Sequence, residues 1–307
     1  MKIQNNQRNN MILQAPAKIN LGLYLGNNRT DGYHDILTVM APVTLYDILE
    51  LTPQKQDECI IHLVGSKEQI PLQDNLVWKA WHLLKTRHNI GGVKISLIKN
   101  IPSGAGLGGG SSDATYALRG LNTMFHLELS TRELMCYAAE LGSDCPFFAQ
   151  DDAALSMGRG EIIINDERLD NLYSIIKSKY KIAILKPHKS VSTRDAYNGV
   201  KEYSLTNEII KSNHDVIVDK YLTKIKEFRL LNDFEPSVIP QCEEIKDIID
   251  FLRNNGADYV QMSGSGSAVY GLFDSSKMKE DGFLKMKRQI DSKIKNDGLF
   301  AFWGDLI

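Results

Sequence analysis

The 307-residue sequence has little cysteine and no long apolar run. Its four cysteines, Cys59, Cys136, Cys145 and Cys242, lie far apart and form no CxxC pair, so they predict neither a disulfide framework nor a structural zinc site. No apolar stretch approaches the roughly 18 residues that a membrane-spanning helix needs. The polar residues 1–10 lack the apolar core of a signal peptide and are expected to form a flexible tail. We therefore expect a cytoplasmic protein with reduced thiols.

An excess of charge of either sign is also missing. The 36 Lys and Arg residues nearly balance the 38 Asp and Glu residues, which gives a formal net charge of −2. No general basic field is available to hold nucleic acid, so we expect no nucleic-acid and no membrane partner. With 43% hydrophobic and 24% charged residues, the composition is that of an ordinary soluble globular protein. We expect a monomer or a weak homodimer.

The first half of the chain alternates strand-like and helical patterns. Strands are predicted at residues 12–25 with a break at Pro16, and at 36–43, 47–51, 58–63 and 93–98. Helices are predicted after Asp74 as N-cap and from Ser111 to Asn122. A third helix is predicted to begin with a capping box at Ser130 and to end at Gly142, where a positive φ is easily adopted.

The second half indicates helices packed on antiparallel strands. Strands are predicted at residues 153–158, 161–164, 182–186, 259–263, 268–273 and 299–303. Helical patterns cover residues 192–228, 243–255 and 277–295, whereas the segment up to Lys179 resembles a polar linker. We therefore predict an α+β fold with two domains, residues 1–158 and 159–307.

The strongest motif is a glycine-rich loop that leads into a helix. In PSGAGLGGGSSDA, Pro102 to Ala114, five glycines precede two serines at the predicted helix start. Glycine permits positive φ and close approach of the backbone, so successive amide groups can point into one concavity. The helix N-terminus adds partial positive charge. A phosphate chain is the ligand that suits such a loop, because a simple turn needs only one or two glycines.

Two common phosphate-binding motifs do not fit this loop. Gly104, Gly106 and Gly109 match the GxGxxG pattern of dinucleotide-binding folds, which also require a second parallel strand ending in an acidic residue. Here the next segment, LSTRELMCYAAELG, is another helix. The Walker loop is excluded because no lysine follows the last glycine.

Three motifs, in order along the chain, resemble those of the GHMP kinase superfamily. The loop resembles its phosphate-binding signature, PAKINLGLYL (Pro16–Leu25) its N-terminal motif, and MSGSGSAVYGLF (Met262–Phe273) its C-terminal glycine-rich motif. The segments DGYH, DNL, GSDCPFF, GRGE and NDFE resemble one branch of that superfamily. Members of this branch phosphorylate the 2-hydroxyl of a methylerythritol linked to cytidine diphosphate, in non-mevalonate isoprenoid precursor biosynthesis.

The resemblance implies a fold and two catalytic residues. A ribosomal S5 domain 2-like N-terminal domain would bind the nucleotide, and a ferredoxin-like C-terminal domain would bind the substrate. Asp144 would accept the proton of the substrate hydroxyl, although alone it is more often a turn or cap residue. Lys18 would keep Asp144 ionised if the two lie within about 4 to 6 Å. Without the resemblance, Lys18 is equally consistent with a solvated strand residue.

The resemblance also implies the nucleotide-binding residues. The loop would hold the phosphates of ATP, Mg²⁺ would be held mainly by those phosphates, and no protein metal site is predicted. Asn75 and Lys99 fall where the family contacts the adenosine part of ATP. The loop residues assigned to this role are Pro102, Gly104, Ala105, Gly106, Leu107, Gly108, Gly109, Gly110, Ser111 and Ser112.

Substrate recognition is implied for a second group of residues. Tyr33 would stack on the cytosine and His34 would bond to it, but a Tyr33 folded onto the local surface and a solvated His34 fit the sequence equally well. Asn20 matches the family's substrate-side Asn. Tyr197 would form a second wall of the cytosine pocket, with Thr193 near it. Gly264, Ser265 and Gly266 would lie near the methylerythritol end of the substrate. A plain hairpin turn is the more common explanation of that second glycine loop.

Two alternatives stay open. The first is another GHMP small-molecule kinase with homoserine, mevalonate or a sugar as acceptor, and the second is a non-catalytic nucleotide sensor. Tyr33 and His34 argue against the first, since those acceptors carry no nucleobase to stack. The presence of both Lys18 and Asp144 argues against the second.

Overall fold

The computed structural model describes residues 4–5, 10–30, 32–64, 71–277, 288–290, 292 and 299–307. The described residues form two compact units that interleave along the chain. The first unit comprises those within 1–17, 45–103 and 108–151, and the second those within 18–44, 104–107 and 152–307. The division into sequence-continuous domains near residue 158 stays a prediction.

Strands and helices of both units confirm the α+β class. The strands are β1 Gln4–Asn5, β2 Met11–Asn28, β3 His34–Gln54, β4 Cys59–Val64, β5 Gly92–Ile98, β6 Ala154–Met157, β7 Ile162–Ile164, β8 Tyr180–Lys186, β9 Tyr259–Met262, β10 Val269–Asp274 and β11 Phe300–Asp305. The α-helices are α1 Leu76–His88, α2 Gly109–Met124, α3 Thr131–Leu141, α4 Glu167–Lys179, α5 Thr193–Asn198, α6 Asn207–Ile210, α7 His214–Lys226, α8 Glu235–Val238 and α9 Glu243–Asn254. Short 3-10 helices lie at Leu72–Asp74, Pro146–Ala149 and Ile239–Gln241.

In the first unit, a sheet supports α2. Strand β5 pairs antiparallel with β3 and parallel with β4, and β1 pairs with the start of β2. A Cβ on Gly120 of α2 would lie 2.5 Å from Leu13 and 2.9 Å from Leu51, so the helix backbone lies directly on the strands. Nine residues of α2 are buried. This packing fixes the position of the helix whose N-terminus ends the glycine-rich loop.

In the second unit, a four-stranded antiparallel sheet has the order β11-β8-β10-β9. Helix α9 packs on β9 and β10. Its buried face consists of Ile245, Ile248, Ile249 and Leu252, the spacing of one side of an amphipathic helix. Elsewhere in this unit, β6 pairs with β3 and with β7.

Several local predictions are confirmed and others are wrong. The capping box is present, since the Ser130 hydroxyl accepts from the Glu133 amide at 3.3 Å and the Glu133 carboxylate accepts from the Ser130 amide at 2.9 Å. Gly142, however, has φ 173, which is extended backbone that any residue adopts. The N-cap of α1 is Asn75 rather than Asp74, because the 3-10 turn that ends at Asp74 moves the helix start by one residue.

Long-range pairing corrects other boundaries. The break predicted at Pro16 does not occur, because β2 runs through that residue, and the two strands predicted at 36–43 and 47–51 are one strand, β3. The segment predicted to be a polar linker contains α4, whose N-cap is Asp166. Three of its side chains are buried, those of Leu169, Tyr173 and Ile176. The helical pattern at 192–228 is three separate helices. The helix predicted at 277–295 lies mostly outside the described residues, of which 288–290 and 292 are helical.

A buried ion cluster in the first unit holds the chain just before the glycine-rich loop. The Lys99 ammonium donates to Asp47 of β3 and, at 2.5 Å, to Asp113 of α2. The other Asp47 oxygen accepts the backbone amides of Asn100 at 2.6 Å and Ile101 at 2.8 Å. Asp47 is 0% and Asp113 2% exposed. Burial raises the pKa of Asp113 to about 8, opposed by Lys99 and reinforced by the Asp47 charge.

The raised pKa of Asp113 predicts a specific pH dependence of stability. Because the folded pKa exceeds the unfolded value of about 3.9, ionisation of Asp113 destabilises the fold, and stability falls as pH rises from about 4 through 8. Asp113→Asn removes this ionisation and keeps the pair of Lys99 with Asp47. Urea unfolding at pH 5, 6.5 and 8 measures the free energy of unfolding of both proteins. Between pH 5 and 8 this free energy should fall by about 1–3 kcal/mol less in Asp113→Asn than in the original protein.

Asp152→Asn, at an exposed position, is the matched control and should leave the slope of stability against pH unchanged. An Asp113→Asn variant with the original slope would mean that Asp113 is ionised throughout this range.

Candidate active site

The glycine-rich loop has an unusual backbone. Gly104, Gly106 and Gly108 adopt positive φ values of 60, 73 and 70. Residues in the left-handed region that alternate with others let neighbouring amide groups converge on one concavity. Side chains are strained in this region, which explains the regular spacing of glycine. The loop therefore has the backbone conformation that an anion-binding site requires.

Three consecutive carbonyl groups of the loop are fixed within the second unit. They are Ala105 O, which accepts from Ala268 N at 3.1 Å, Gly106 O, which accepts from the Ser263 hydroxyl at 3.0 Å, and Leu107 O, which accepts from Lys18 N at 2.9 Å. In a trans peptide the N–H points opposite to the C=O. The amides of residues 106–108 therefore point away from these donors and are available to a ligand.

Gly106 makes the closest approach in the loop. A Cβ at this position would lie 2.0 Å from Ser263 O, which no side chain can tolerate. Ser263 belongs to the connection between β9 and β10, and these strands pair antiparallel, so the second glycine-rich segment is a hairpin. This hairpin also supports residues 104–107, a role that the hairpin pattern alone does not predict.

The first unit contributes the N-termini of two helices. Gly108 is the N-cap of α2, which begins two residues earlier than predicted, and a Cβ on Gly110 would lie 3.9 Å from Leu76 at the start of α1. Both helix ends carry partial positive charge, which favours an anion between them. The Ser112 hydroxyl is buried without a hydrogen-bond partner among the described residues.

The two residues predicted to contact adenosine already have structural partners in the first unit. The Asn75 side chain accepts from the Val77 amide at 2.9 Å as the N-cap of α1, and Lys99 belongs to the buried ion cluster. Their contact with adenosine stays a prediction.

Asp144 lies in a turn between α3 and the 3-10 helix Pro146–Ala149. This turn is anchored on α2, because Cys145 O accepts from the Thr115 hydroxyl at 2.9 Å. A Cβ on Gly142 would lie 3.9 Å from the Ser111 hydroxyl. The segment that carries Asp144 therefore lies beside the first turns of α2. Burial raises the pKa of the Cys145 thiol to about 11, and the Asp144 charge adds to this rise.

Lys18 begins a buried polar chain in the second unit. Its ammonium donates to Asn20 Oδ1 at 2.7 Å, Asn20 Nδ2 donates to the Thr38 hydroxyl at 2.9 Å, and Thr38 donates to Gly22 O at 2.6 Å. Lys18 is 3% exposed, so the interpretation as a solvated strand residue is wrong. The bond from Lys18 also fixes the Asn20 amide orientation. Sequence reasoning missed Thr38, whose only signal is a hydroxyl within an apolar strand.

His34 is buried in an aromatic cluster of the second unit. Its ring stacks on Tyr197 with centroids 5.0 Å apart, and Tyr203 lies 5.2 Å away. A solvated His34 is therefore excluded. Because Nδ1 lies 2.8 Å from the carbonyl of Gly26, which only accepts, Nδ1 carries a proton, and in the Nδ1–H tautomer Nε2 is an acceptor. Tyr33 is 53% exposed, with the Arg159 guanidinium 5.0 Å from its ring centroid.

The hairpin between β9 and β10 brings the remaining substrate candidates to the same unit. A Cβ on Gly264 would lie 3.4 Å from Asn20 Oδ1, and the Thr193 and Ser265 hydroxyls are 3.2 Å apart. Asn232 holds this hairpin, because its amide donates to Met262 O at 2.8 Å and to Gly264 O at 2.9 Å. The sequence motif contained Asn232 but gave no signal of this role. Gly266 also has a positive φ, 82.

The predicted site residues fall into two groups. Asn75, Lys99, Pro102, Asp144 and residues 108–112 belong to the first unit. Lys18, Asn20, residues 104–107, the His34 cluster and the hairpin belong to the second. Across the described part of the chain, no cluster of three or more His, Cys, Asp or Glu side chains could hold a metal ion. Nor does any helix in that part have the length and apolar character to cross a membrane.

Comparison with known proteins identifies the family. The model for the GHMP kinases N terminal domain matches residues 75–155, and that for the GHMP kinases C terminal domain matches residues 218–289. A 4-diphosphocytidyl-2-C-methyl-D-erythritol kinase from Azobacteroides pseudotrichonymphae is 43% identical over 263 residues, covering 86% of this chain and 93% of the relative. The enzyme of that name from Bacteroides thetaiotaomicron is 42% identical, covering 86% and 92%.

Solved structures agree with these relatives. A crystal structure of 4-(cytidine 5'-diphospho)-2C-methyl-D-erythritol kinase matches with a TM-score of 0.72 and 31% identity, covering 96% of this chain and 99% of the other. Homoserine kinase from Cytophaga hutchinsonii has the same TM-score at 17% identity, covering 100% and 97%, which shows a shared fold alone. This chain belongs to the GHMP kinases and, within them, to the 4-diphosphocytidyl-2-C-methyl-D-erythritol kinase family.

Proposed function

We propose that this protein transfers the γ-phosphoryl group of ATP to the 2-hydroxyl of 4-diphosphocytidyl-2-C-methyl-D-erythritol, in non-mevalonate isoprenoid precursor biosynthesis. The relatives named for this activity support the proposal at 42–43% identity. The observation that carries it is the glycine-rich loop, whose carbonyls are bonded to the protein so that its amides are left for phosphate.

The loop would bind the phosphate chain of ATP. Phosphoryl transfer passes through a loose transition state, so positioning and stabilisation of charge supply most of the catalysis. The amides of residues 106–108 and the N-terminus of α2 are fixed before the nucleotide arrives, and no reorganisation is needed when charge develops. Mg²⁺ would be held mainly by the phosphates, whose charge it would neutralise. The Ser112 hydroxyl, which has no hydrogen-bond partner among the described residues, would be an oxygen ligand for it.

Asp144 is proposed as the general base and Lys18 as its cationic partner. A base must reach the hydroxyl proton that it accepts, and Asp144 lies in a turn anchored beside the helix that ends the phosphate loop. Lys18 is held by Asn20 in a single orientation. Its positive charge would favour the ionised form of the carboxylate and the developing negative charge on the transferred group.

Cytosine recognition is proposed for the His34 cluster. Tyr197 supports one face of the His34 ring, and the protonated Nδ1 leaves Nε2 as an acceptor. The exocyclic amine of cytosine is a donor, so it complements this tautomer. Homoserine and mevalonate carry no nucleobase, which favours the cytidine-linked acceptor over those of other GHMP kinases.

Asp144→Asn tests the base. The variant keeps the shape of the side chain but cannot accept the proton, so turnover should fall about 10²- to 10⁴-fold with little change in ATP affinity. Steady-state kinetics and nucleotide titration measure both quantities. Asp152→Asn, which removes the same charge at an exposed position, should keep full turnover. Unchanged turnover in Asp144→Asn would remove the base assignment and favour a role in the turn alone.

Gly106→Ala tests the loop. A methyl group at this position meets Ser263 O and must displace the loop, so ATP affinity should fall about tenfold or more. Gly256→Ala is the matched control, because Gly256 has a φ of 88 but open space around its Cβ. The Gly256→Ala variant has the same strain of a positive φ but no contact with a neighbouring atom, so it should bind ATP normally. Normal ATP binding by Gly106→Ala would contradict the loop assignment.

An acceptor panel tests the substrate. ATP consumption should be observed with the cytidine-linked substrate but not with homoserine, mevalonate or a sugar, and CMP should inhibit competitively. Tyr197→Ala should raise KM for this substrate about tenfold, whereas Tyr197→Phe, which keeps the ring, should retain the original KM. Turnover of homoserine without inhibition by CMP would reassign the acceptor, and absence of turnover with every acceptor would support the nucleotide sensor.

A further inference from the structure

The second unit contains a cavity of about 310 Å³ that no step of the proposed reaction uses. It lies against α7 and the facing strands β2 and β3. Its apolar walls are Tyr24, Leu37, Leu205, Ile209, Ile217 and Tyr221. The volume is that of a small-molecule pocket, for which mostly apolar walls and a few polar groups are typical.

The cavity lies on the other side of β3 from the His34 cluster. Successive strand residues point to opposite faces. Ile36 belongs to the same core cluster as Tyr197 and Tyr203, and its neighbour Leu37 lines the cavity. None of the predicted catalytic, nucleotide or substrate residues is part of its lining. A ligand here would therefore occupy a site separate from that of the cytidine.

Two lysines of α7 give the cavity a cationic side. Lys220 and Lys224 are one helical turn apart, and both line it. The Lys224 ammonium lies 4.1 Å from the Tyr24 ring centroid. Burial lowers the pKa of Lys224, the Asp233 charge opposes this shift and the Lys220 charge adds to it. Across the described ranges neither lysine forms an ion pair, whereas Arg168 of the neighbouring α4 bonds three aspartates.

We propose that this cavity binds a small amphiphilic anion, an alkyl or prenyl chain that ends in a phosphate or carboxylate. The chain would replace water against the aromatic and aliphatic walls, and the charged end would lie between Lys220 and Lys224. An anion there relieves the repulsion between the two ammonium groups. A chain with one charged end matches both the apolar walls and the two lysines. A neutral chain would provide no negative charge for the ammonium groups, and inorganic phosphate alone would leave the apolar walls in contact with water.

The test compares three probes on the full-length protein by calorimetric titration and thermal unfolding. Octyl phosphate combines chain and charge, octanol has the chain alone, and inorganic phosphate has the charge alone. Octyl phosphate, held below the concentration at which it forms micelles, should bind at least about tenfold more tightly than either of the others. Octanoate in a parallel titration distinguishes a carboxylate from a phosphate end, and either result is compatible with the shared chemistry.

Variants locate the binding. Lys220→Gln with Lys224→Gln should weaken octyl phosphate about tenfold and leave octanol unchanged. Lys211→Gln with Lys226→Gln removes the same charge from exposed positions and should keep the original affinity. Ile209→Trp, at a half-buried wall position, should block both chain-bearing probes. ATP turnover and circular dichroism show that each variant is folded.

Equal affinity for octanol and octyl phosphate, or full octyl phosphate affinity in either the double-lysine or the Ile209→Trp variant, would overturn the proposal. A change of sedimentation coefficient in Ile209→Trp without a change in ligand affinity would also overturn it, because the cavity would then be covered by a second copy of the chain.

Discussion

The candidate site depends on how three peptide groups between Gly104 and Gly108 are turned. Their carbonyls are bonded within the second unit, to the backbone of β2 and to the hairpin between β9 and β10. Because the C=O and N–H of a trans peptide point in opposite directions, fixing the carbonyls fixes the amides. Only glycine gives the required φ at alternate positions without strain. The proposed phosphate binding would therefore depend on backbone geometry more than on any charged side chain.

The second constraint is electrostatic and lies just before this loop. A single lysine, Lys99, pairs with two buried carboxyl groups, of which Asp47 also accepts the amides of residues 100 and 101. The cluster links β3, the end of β5 and α2 in the first unit. Burying an incompletely neutralised cluster destabilises a fold. Its position directly before the loop would orient the backbone that we propose binds phosphate, at a cost in stability.

Local features of the site were predictable because they depend on neighbours in the chain. Glycine spacing predicted the positive-φ loop, and Ser130 with Glu133 predicted a capping box, since both are local effects. Strand positions followed from apolar alternation. The union of residues 36–43 and 47–51 in the single strand β3 did not follow from that alternation.

Contacts between distant residues were not predictable. Nothing near Thr38 in the sequence indicates that it bonds to Asn20, and Tyr203 and Asn232 acquire their roles only through packing. The burial of Lys18 likewise depends on its partner two residues later on the same face of the strand. Resemblance to a family supplied roles for Lys18 and Asn20 alone among these positions, and the structure supplies the bonds that hold them.

The most direct test of this account observes the amides of the loop. Two-dimensional ¹⁵N–¹H spectra, recorded while a non-hydrolysable ATP analogue is added, should show large shifts and slowed hydrogen exchange at Gly106, Leu107 and Gly108. The amide of Gly256 should be unaffected. A protein that binds the analogue while these three amides keep their shifts and exchange rates would contradict the claim that the loop backbone holds the phosphates.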